Sequence, residues 1–549
     1  MAASRPARAY RPRLSWDGAA FLLFAVTLLL VVYTFHDYGV TWDEDVHNNY
    51  GVLVLDYYLS WFKDVRALHW LNLYTYGAAF DMTAALINRV SPFGTYETRH
   101  LLNGLVGILG LVGAWKIGRL LGGERAGFLA ALALVTIPNW YGQMYNNPKD
   151  IPFAVGTIWS LYYLCRIVPE LPRPRLALAL KLGFWIGVSL GVRVGGLLLF
   201  AYAGLAVGIF CLWRIAETRR LGPAVKDGLV ACYRVVLPMV AIGYPVMLFF
   251  WPWAQQAPID NPMSALSDFS YSVFPYKTLF AGSYFPATDL PWEYLPTHVV
   301  LALPELTLLL ALAALPIGIW VAIRDRERTA AIQHIVLATS IIFPVAYAVA
   351  IRAVLFDGMR HFIFVLPPIA VVAALVADAG LKRLARSPVR PALFGALGVY
   401  GLGHLGIMIG LHPDQYVYYN GLVGGVEGAS PLFKTDYWAN SYAEAVQGLV
   451  TYLQTEYGAE FEDHEFKVAA CGPPISADYF FPSNFIFTKD AAEADFFIAF
   501  TKDGCDKSLP GKRIYRVERL GALLSVVLDR REILAAAATR LHQKPNPSP

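Results

Sequence analysis

Gly39-Val40-Thr41-Trp42-Asp43-Glu44-Asp45-Val46-His47 decides how the rest of the chain is read. Its three consecutive carboxylates stand just beyond the first long hydrophobic run. At a membrane edge such groups are costly unless they hold protons, cations or a cationic transition state. The chain around them has 549 residues, 56% hydrophobic and only 16% charged. A soluble protein carries about 25% charged residues. This composition points to an integral membrane protein with many spans. A net charge of +4 is too mild to suggest nucleic acid as a partner.

About 20 apolar residues cross a bilayer. Eleven spans are expected, at 17–36, 98–118, 124–140, 150–167, 176–191, 194–213, 232–252, 297–322, 332–350, 361–378 and 391–410. Basic residues fall in alternate loops. Arg5, Arg8, Arg11 and Arg13 precede the first span. Lys116, Arg119 and Arg125 follow the second, and Arg166, Arg173 and Arg175 the fourth. Arg214, Arg219, Arg220 and Lys226, then Arg324, Arg326 and Arg328, then Lys382, Arg383, Arg386 and Arg390 continue the alternation. The positive-inside rule makes this side, with the N-terminal segment 1–16, cytoplasmic. An odd number of spans then puts the C-terminal part outside. No small-residue cleavage pattern follows the first span, so a retained anchor is expected.

Two outer loops are long, 37–97 and 253–296. In the first, Val52, Leu55, Tyr58, Leu59 and Phe62 have helical spacing, which suits an amphipathic interfacial helix or an ordinary half-buried one. The second is rich in aromatic residues, as membrane anchors are. The domain 17–410 is followed by a connecting segment, 411–440, a small extracytoplasmic α/β domain, 441–535, and a flexible tail, 536–549. Helix is expected over 441–457, and strands over Phe466 to Ala470, Ala494 to Phe500 and two arms flanking Leu520-Gly521. Cys471 and Cys505 each follow a strand end, which leaves a disulfide and two separate thiols both open.

This topology gathers scattered polar residues near one surface. Asp43, Glu44, Asp45 and His47 follow the first span, and Arg99, His100 and Asn103 open the second. Asn146, Asn147, Lys149 and Asp150 join the third to the fourth, Arg193 separates the fifth from the sixth, and Asp357, Arg360 and His361 open the tenth. Singly, each reads as a helix-end charge reaching for water. Together they set carboxylates against Arg, Lys and His. Arginine grips a lipid phosphate bidentately, a sugar leaving that phosphate passes through an oxocarbenium-like state, and an attacking hydroxyl needs a carboxylate base. The competing class is a transporter or flippase of a lipid-linked or anionic substrate, which would place its ionisable groups near the bilayer midplane.

At these residues the chain resembles the GT-C superfamily of polyprenyl-phosphate-sugar-dependent glycosyltransferases, and within it bacterial relatives of the protein O-mannosyltransferases. Asn146 to Phe153 is similar to a second acidic motif of that group. Asp357 to Phe362 with Pro367-Pro368, and the stretch from His412-Pro413 through Tyr416 to Asn420, Gly424-Gly425 and Asp436-Tyr437-Trp438, are similar to others. The resemblance implies a polytopic α-helical membrane protein of the bacterial inner membrane. It implies a hexosyl- or pentosyltransferase that takes a polyprenyl-phosphate sugar as donor and a protein, lipid or glycan as acceptor. By that resemblance Asp43 is the base, Glu44 positions acceptor or sugar, and Asp150 is a second acid. Arg99, Lys149, Arg193, Arg360 and His361 contact the lipid phosphate, with Asp45, His47, His100, Asn103 and Asn147 nearby. No cofactor is required by these residues, and a divalent metal ion, with His47 as a candidate ligand, is left open.

Overall fold

The computed structural model describes residues 15–271, 276–324 and 328–542. The expected basic residues Arg5, Arg8, Arg11, Arg13 and Arg326, and the last part of the expected tail, lie outside these ranges.

The N-terminal half runs through α1 (Trp16–Thr34), α2 (Trp42–Leu59), α3 (Ala79–Asn88), α4 (Thr95–Gly122), α5 (Glu124–Val135), α6 (Pro138–Asn146), α7 (Asp150–Ile167), α8 (Leu176–Leu190), α9 (Leu198–Thr218) and α10 (Leu221–Phe250). Short helices α11 (Pro252–Gln256) and α12 (Asp260–Tyr271) and a hairpin of β1 (Lys277–Phe280) and β2 (Ser283–Pro286) follow. Then come α13 (Tyr294–Leu301), α14 (Glu305–Arg324), α15 (Arg328–Ala350), α16 (Leu366–Arg383) and α17 (Arg390–Gly410).

Among the described residues, eight helical segments are long and apolar enough to cross a membrane, and α8 and the first part of α14 are shorter apolar helices. Nine of the eleven expected spans fall on these elements. Two differ: 297–322 is interrupted at residues 302–304 between α13 and α14, and 124–140 breaks at Thr136-Ile137, where Pro138 starts a separate helix, α6. Proline lacks the N–H a continuing helix needs but suits a first turn. The stretch 176–213 is two helices, α8 and α9, as expected, not one.

Burial sorts the helices by solvent. The most apolar window of α7 is 89% buried and forms the centre of the bundle, whereas that of α17 is 11% buried. Apolar helices with open faces belong against lipid, where every backbone polar group is satisfied within the helix. Glycines bring α8 and α10 together: a Cβ on Gly183 would collide with the Met239 backbone, and one on Gly187 with Gly243.

The expected helix in loop 37–97 is present as α2, but its buried face differs. Tyr50, Leu53, Val54 and Tyr57 pack on Ala67, Leu68, Leu73 and Ala78, while Val52, Leu59 and Phe62 are exposed. The helix begins ten residues before Val52, and its own following loop covers one side.

At the C-terminal end, β3 (Phe466–Ala470), β4 (Phe485–Phe487), β5 (Phe496–Phe500), β6 (Lys512–Arg519) and β7 (Ala522–Asp529) form one sheet in the order β4-β3-β5-β7-β6. β3 is parallel to β4 and β5, and β7 is antiparallel to β5 and β6. The helix Tyr442–Tyr457 buries Tyr442, Val446, Leu449 and Leu453 against one face. Because β3 and β5 are parallel neighbours, their ends meet, and Cys471 and Cys505 form a disulfide with a Cα–Cα distance of 6.4 Å.

Candidate active site

The acidic triplet has a local reason: it is the first turn of α2. The Thr41 N–H donates to Glu44 Oε2 at 2.9 Å and its hydroxyl to the same oxygen at 3.1 Å. Such a capping box satisfies an amide at the helix start, and carboxylates there face the positive end of the helix dipole. The three side chains then part. Glu44 is 1% exposed and sets Oε1 2.9 Å from His100 Nε2. Asp45 accepts hydrogen bonds from Tyr96 Oη at 3.0 Å and Asn49 Nδ2 at 3.1 Å. Only Asp43 reaches a cavity of about 440 Å³.

Four of the stretches that line the cavity carry the expected residues. α2 supplies Asp43 and His47. The turn into α7 supplies Asn147, Lys149 and Asp150. Arg193 follows α8, and Asp357, Arg360 and His361 precede α16. Arg360 Nη1 donates to Asp43 Oδ2 at 2.6 Å across 317 residues of sequence. The Arg360 guanidinium is 5.0 Å from the Phe356 ring and 5.2 Å from the Trp438 ring. Asp357 and Gly358, with φ of 56° and 70°, turn the chain through the left-handed region just before it. That conformation is easy for glycine and tolerable for aspartate.

Arg193 donates a hydrogen bond to Asp150 Oδ1. Asn147 fixes the same acid twice, with Nδ2 3.0 Å from Asp150 Oδ2 and Oδ1 accepting the Asp150 N–H at 2.9 Å. The Lys149 ammonium lies 3.3 Å from the centre of the Tyr76 ring, a close cation–π contact.

The remaining expected residues stand behind the wall. Arg99 is 1% exposed and donates to Asp81 Oδ1 at 2.6 Å, so it does not reach the cavity as a phosphate contact would. Asp81 also holds His47 Nδ1 at 2.8 Å. Glu44 and His100 pair with each other instead of lining the space, and His100 Nδ1 lies 3.2 Å from the Phe35 carbonyl. Asn103 donates to the Asn147 carbonyl at 2.9 Å and so braces the loop carrying Lys149. Among the described residues no three His, Cys, Asp or Glu side chains are grouped as a metal ion needs. His47, the candidate ligand, has its Nδ1 committed to Asp81.

Sequence reasoning missed several residues. Asp81, an acid inside the apolar run Ala78-Ala79-Phe80-Asp81-Met82, could have been found by that contrast. Lys434 and Lys502 also line the cavity, from the connecting segment 411–440 and from just past β5. Lys502 Nζ is 3.6 Å from the centre of the Trp42 ring and 3.9 Å from Asp357 Oδ1. Nothing in their local sequence marks them, because only the fold brings them there.

Charge tunes the groups in the wall. Burial alone would raise the Asp43 carboxyl, but Arg360, joined by His47 and Lys149, outweighs it and lowers the group to about 2. Burial, then Arg193, pushes Lys149 down to about 7 against the pull of Asp43, Asp150 and Asp81. Burial also works to raise Asp81, and His47 and Arg99 overcome it, leaving that carboxyl below its usual value. The Asp43 side chain is still 34% exposed while Arg360 is 10% exposed, so the carboxylate is accessible from the cavity.

A lowered carboxylate, two Arg–Asp pairs and a lysine near neutrality in one cavity suit an anionic substrate handled beside a base. Residues 80–242 match the family model of the dolichyl-phosphate-mannose-protein mannosyltransferases. That segment runs from α3 into α10 and contains Asp81, Lys149, Asp150 and Arg193; Asp43 and Arg360 flank it. The match bears out, over that segment, the resemblance described above, and the chain is a multi-pass membrane protein.

Among solved structures, ArnT from Cupriavidus metallidurans in the apo state is similar at 14% identity, covering 93% of this chain and 98% of that chain, with a TM-score of 0.49. ArnT bound to undecaprenyl phosphate is similar at 13% identity over 92% of this chain and 97% of that chain, TM-score 0.48. The Archaeoglobus fulgidus oligosaccharyltransferase AglB, in complex with an inhibitory peptide and a dolichol-phosphate, is similar at 12% identity over 82% of this chain and 62% of that chain, TM-score 0.44. No curated protein matches the chain.

Proposed function

We propose that this protein transfers a sugar from a polyprenyl-phosphate donor to an acceptor hydroxyl at the outer membrane face, with Asp43 as the base. The acceptor hydroxyl gives its proton to the Asp43 carboxylate as its oxygen bonds to the anomeric carbon. The bond from that carbon to the phosphate oxygen breaks, and the electron pair leaves with the lipid phosphate. Arg360, Lys149 and Arg193 offer the positive charge that this phosphate needs. Asp150, held by Arg193 and Asn147, is the second acid and orients Arg193. Attack from the side opposite the leaving phosphate inverts the anomeric centre.

The observation that carries this reading is the 2.6 Å pair of Asp43 and Arg360 in the wall of a cavity that also holds Lys149 and Arg193. Those charges stand at helix ends: Asp150 opens α7, Arg193 follows α8, and Arg360 precedes α16. A transporter would bring them to the midplane.

The test compares extracytoplasmic glycoconjugates by mass spectrometry in cells with the protein, without it, and with Asp43→Asn. One sugar should be lost from one acceptor class in both the second and third strains. An unchanged glycan profile on removing the protein overturns the proposal; loss on removal but not with Asp43→Asn removes Asp43 from the base role.

A further inference from the structure

We infer a second binding site, for a phosphate-bearing lipid headgroup, at the opposite end of the helix bundle. A cavity of about 390 Å³ opens between the end of α4, the end of α7 and the start of α8. Four cations converge on it from three elements and their connection: Lys116, Arg166, Arg175 and Lys181. Asp150 and Arg166 lie on the same helix, and sixteen residues of α-helix rise about 24 Å. That distance is most of a hydrocarbon core about 30 Å thick. The two cavities thus face opposite surfaces of the bilayer.

Positive residues are ordinary on one membrane side, so their pairing matters more than their number. Several other basic residues at that end have acids, although among the described residues Arg173, Arg219, Arg220, Lys226, Arg383, Arg386 and Arg390 do not, so it is convergence on one cavity that sets this group apart. Arg119 is 2.8 Å from Asp17, Arg125 is 2.6 Å from Asp378, and Arg214 is 2.9 Å from Asp227. Arg175 is 2.5 Å from Glu170. Among the described residues, Lys116, Arg166 and Lys181 have no carboxylate within 4.0 Å. Of the four cations that line the cavity, only Arg175 has an acid among those residues.

Lys116 and Arg166 approach the same ring, Tyr162, at 5.8 and 5.9 Å, and Arg166 donates to its hydroxyl at 3.0 Å. Lys181 lies 5.9 Å from the Tyr163 ring. Two like charges held about one ring, with no acid to neutralise them, form a receptor for an anion. Trp159 and the tyrosines add aromatic wall, with Trp159 about 10 Å along the helix from Arg166. Basic pockets between spanning helices take anionic lipid headgroups in this way, and phosphate is the group that Arg and Lys together recognise.

The test uses the full chain in phosphatidylcholine nanodiscs titrated with phosphatidylglycerol, with bound lipid counted by native mass spectrometry. The wild type should retain phosphatidylglycerol over phosphatidylcholine. Lys116→Gln with Arg166→Gln should weaken that binding about thirtyfold, given about 1 kcal/mol per cation near the surface. Lys181→Gln, whose side chain is exposed, should weaken it about fivefold on the same basis and decides the matter should the double variant fail to fold. Inorganic phosphate in a parallel titration separates the sources: displacement of the lipid identifies free phosphate as sufficient, and no displacement requires the whole lipid. Equal retention of both lipids by the wild type, or unchanged phosphatidylglycerol binding in the folded variants, overturns the inference. None of these readouts depends on sugar transfer, so the first cavity and this one stand or fall separately.

Discussion

Arg360 outweighs burial at Asp43 and lowers its carboxyl, so as the proposed base Asp43 accepts a proton only when the guanidinium has another anion to hold. Asp43→Asn removes the base yet keeps the side chain's size and frees Arg360. Turnover should fall by about 10²–10⁴-fold, the usual contribution of general base catalysis. Donor affinity should stay the same or tighten, measured by calorimetry on the same preparation. A parallel loss of donor binding would assign Asp43 to donor recognition instead. Lys149 sets the pH response. With its value lowered to about 7, the cation present below that pH is lost as pH rises through it. A bound phosphate favours the cation, so donor binding should take up a proton above neutrality and weaken between pH 7 and 9. Lys149→Met should flatten the profile. Asp43, Lys149, Asp150, Arg193 and Arg360 were legible as a set because charges are conspicuous beside apolar spans. That Glu44 turns away from the cavity was not, because Thr41 and Glu44 close a capping box that gives the sequence Asp-Glu-Asp two uses at once.

At the scale of elements, close backbone approach fixes the position of α6. A Cβ on Gly142 would strike the Tyr416 backbone nitrogen and the Gln415 carbonyl carbon. Gly142→Ala should therefore destabilise the fold by about 1–3 kcal/mol, as overpacking does. A thermal unfolding scan in detergent should show the fall in Tm, and an unchanged Tm would mean that the loop 412–420 yields. The spans were legible because hydrophobic length is a strong signal, and the longer strands because each alternates or runs apolar between turns. β4 was not, since three residues, Phe485–Phe487, are too few for a pattern. The break before Pro138 was not either, because Ile137 to Trp140 continues the apolar run that made the stretch look like one span. The buried face of α2 was hidden for a third reason. Its apolar residues encircle the helix, and only the following loop decides which of them are covered.

At the scale of the whole molecule, the C-terminal sheet contributes to a cavity built mainly from helix ends. Lys502 follows β5 and stands over Trp42, next to Asp43. Trp438 of the connecting segment 411–440 lies beside Arg360. Lys502→Met keeps the apolar stem and removes the charge. It should raise the donor KM about tenfold, equivalent to about 1.4 kcal/mol, with Tm little changed. A fall in kcat alone would point to the acceptor step instead. This long-range contact was invisible in the sequence, because a lysine at residue 502 carries no local sign of a partner at residue 42.

The latch between Asp43 and Arg360 bears on the order of events in the proposed reaction. The guanidinium engages one oxygen of the carboxylate and lowers its basicity, so a stray water meets a poor base. An arriving lipid phosphate is the first visitor able to draw the guanidinium away. In the proposed reaction, loading then follows the order donor before acceptor, and the activated sugar is shielded from idle hydrolysis by the same side chain proposed to steady its departing lipid carrier.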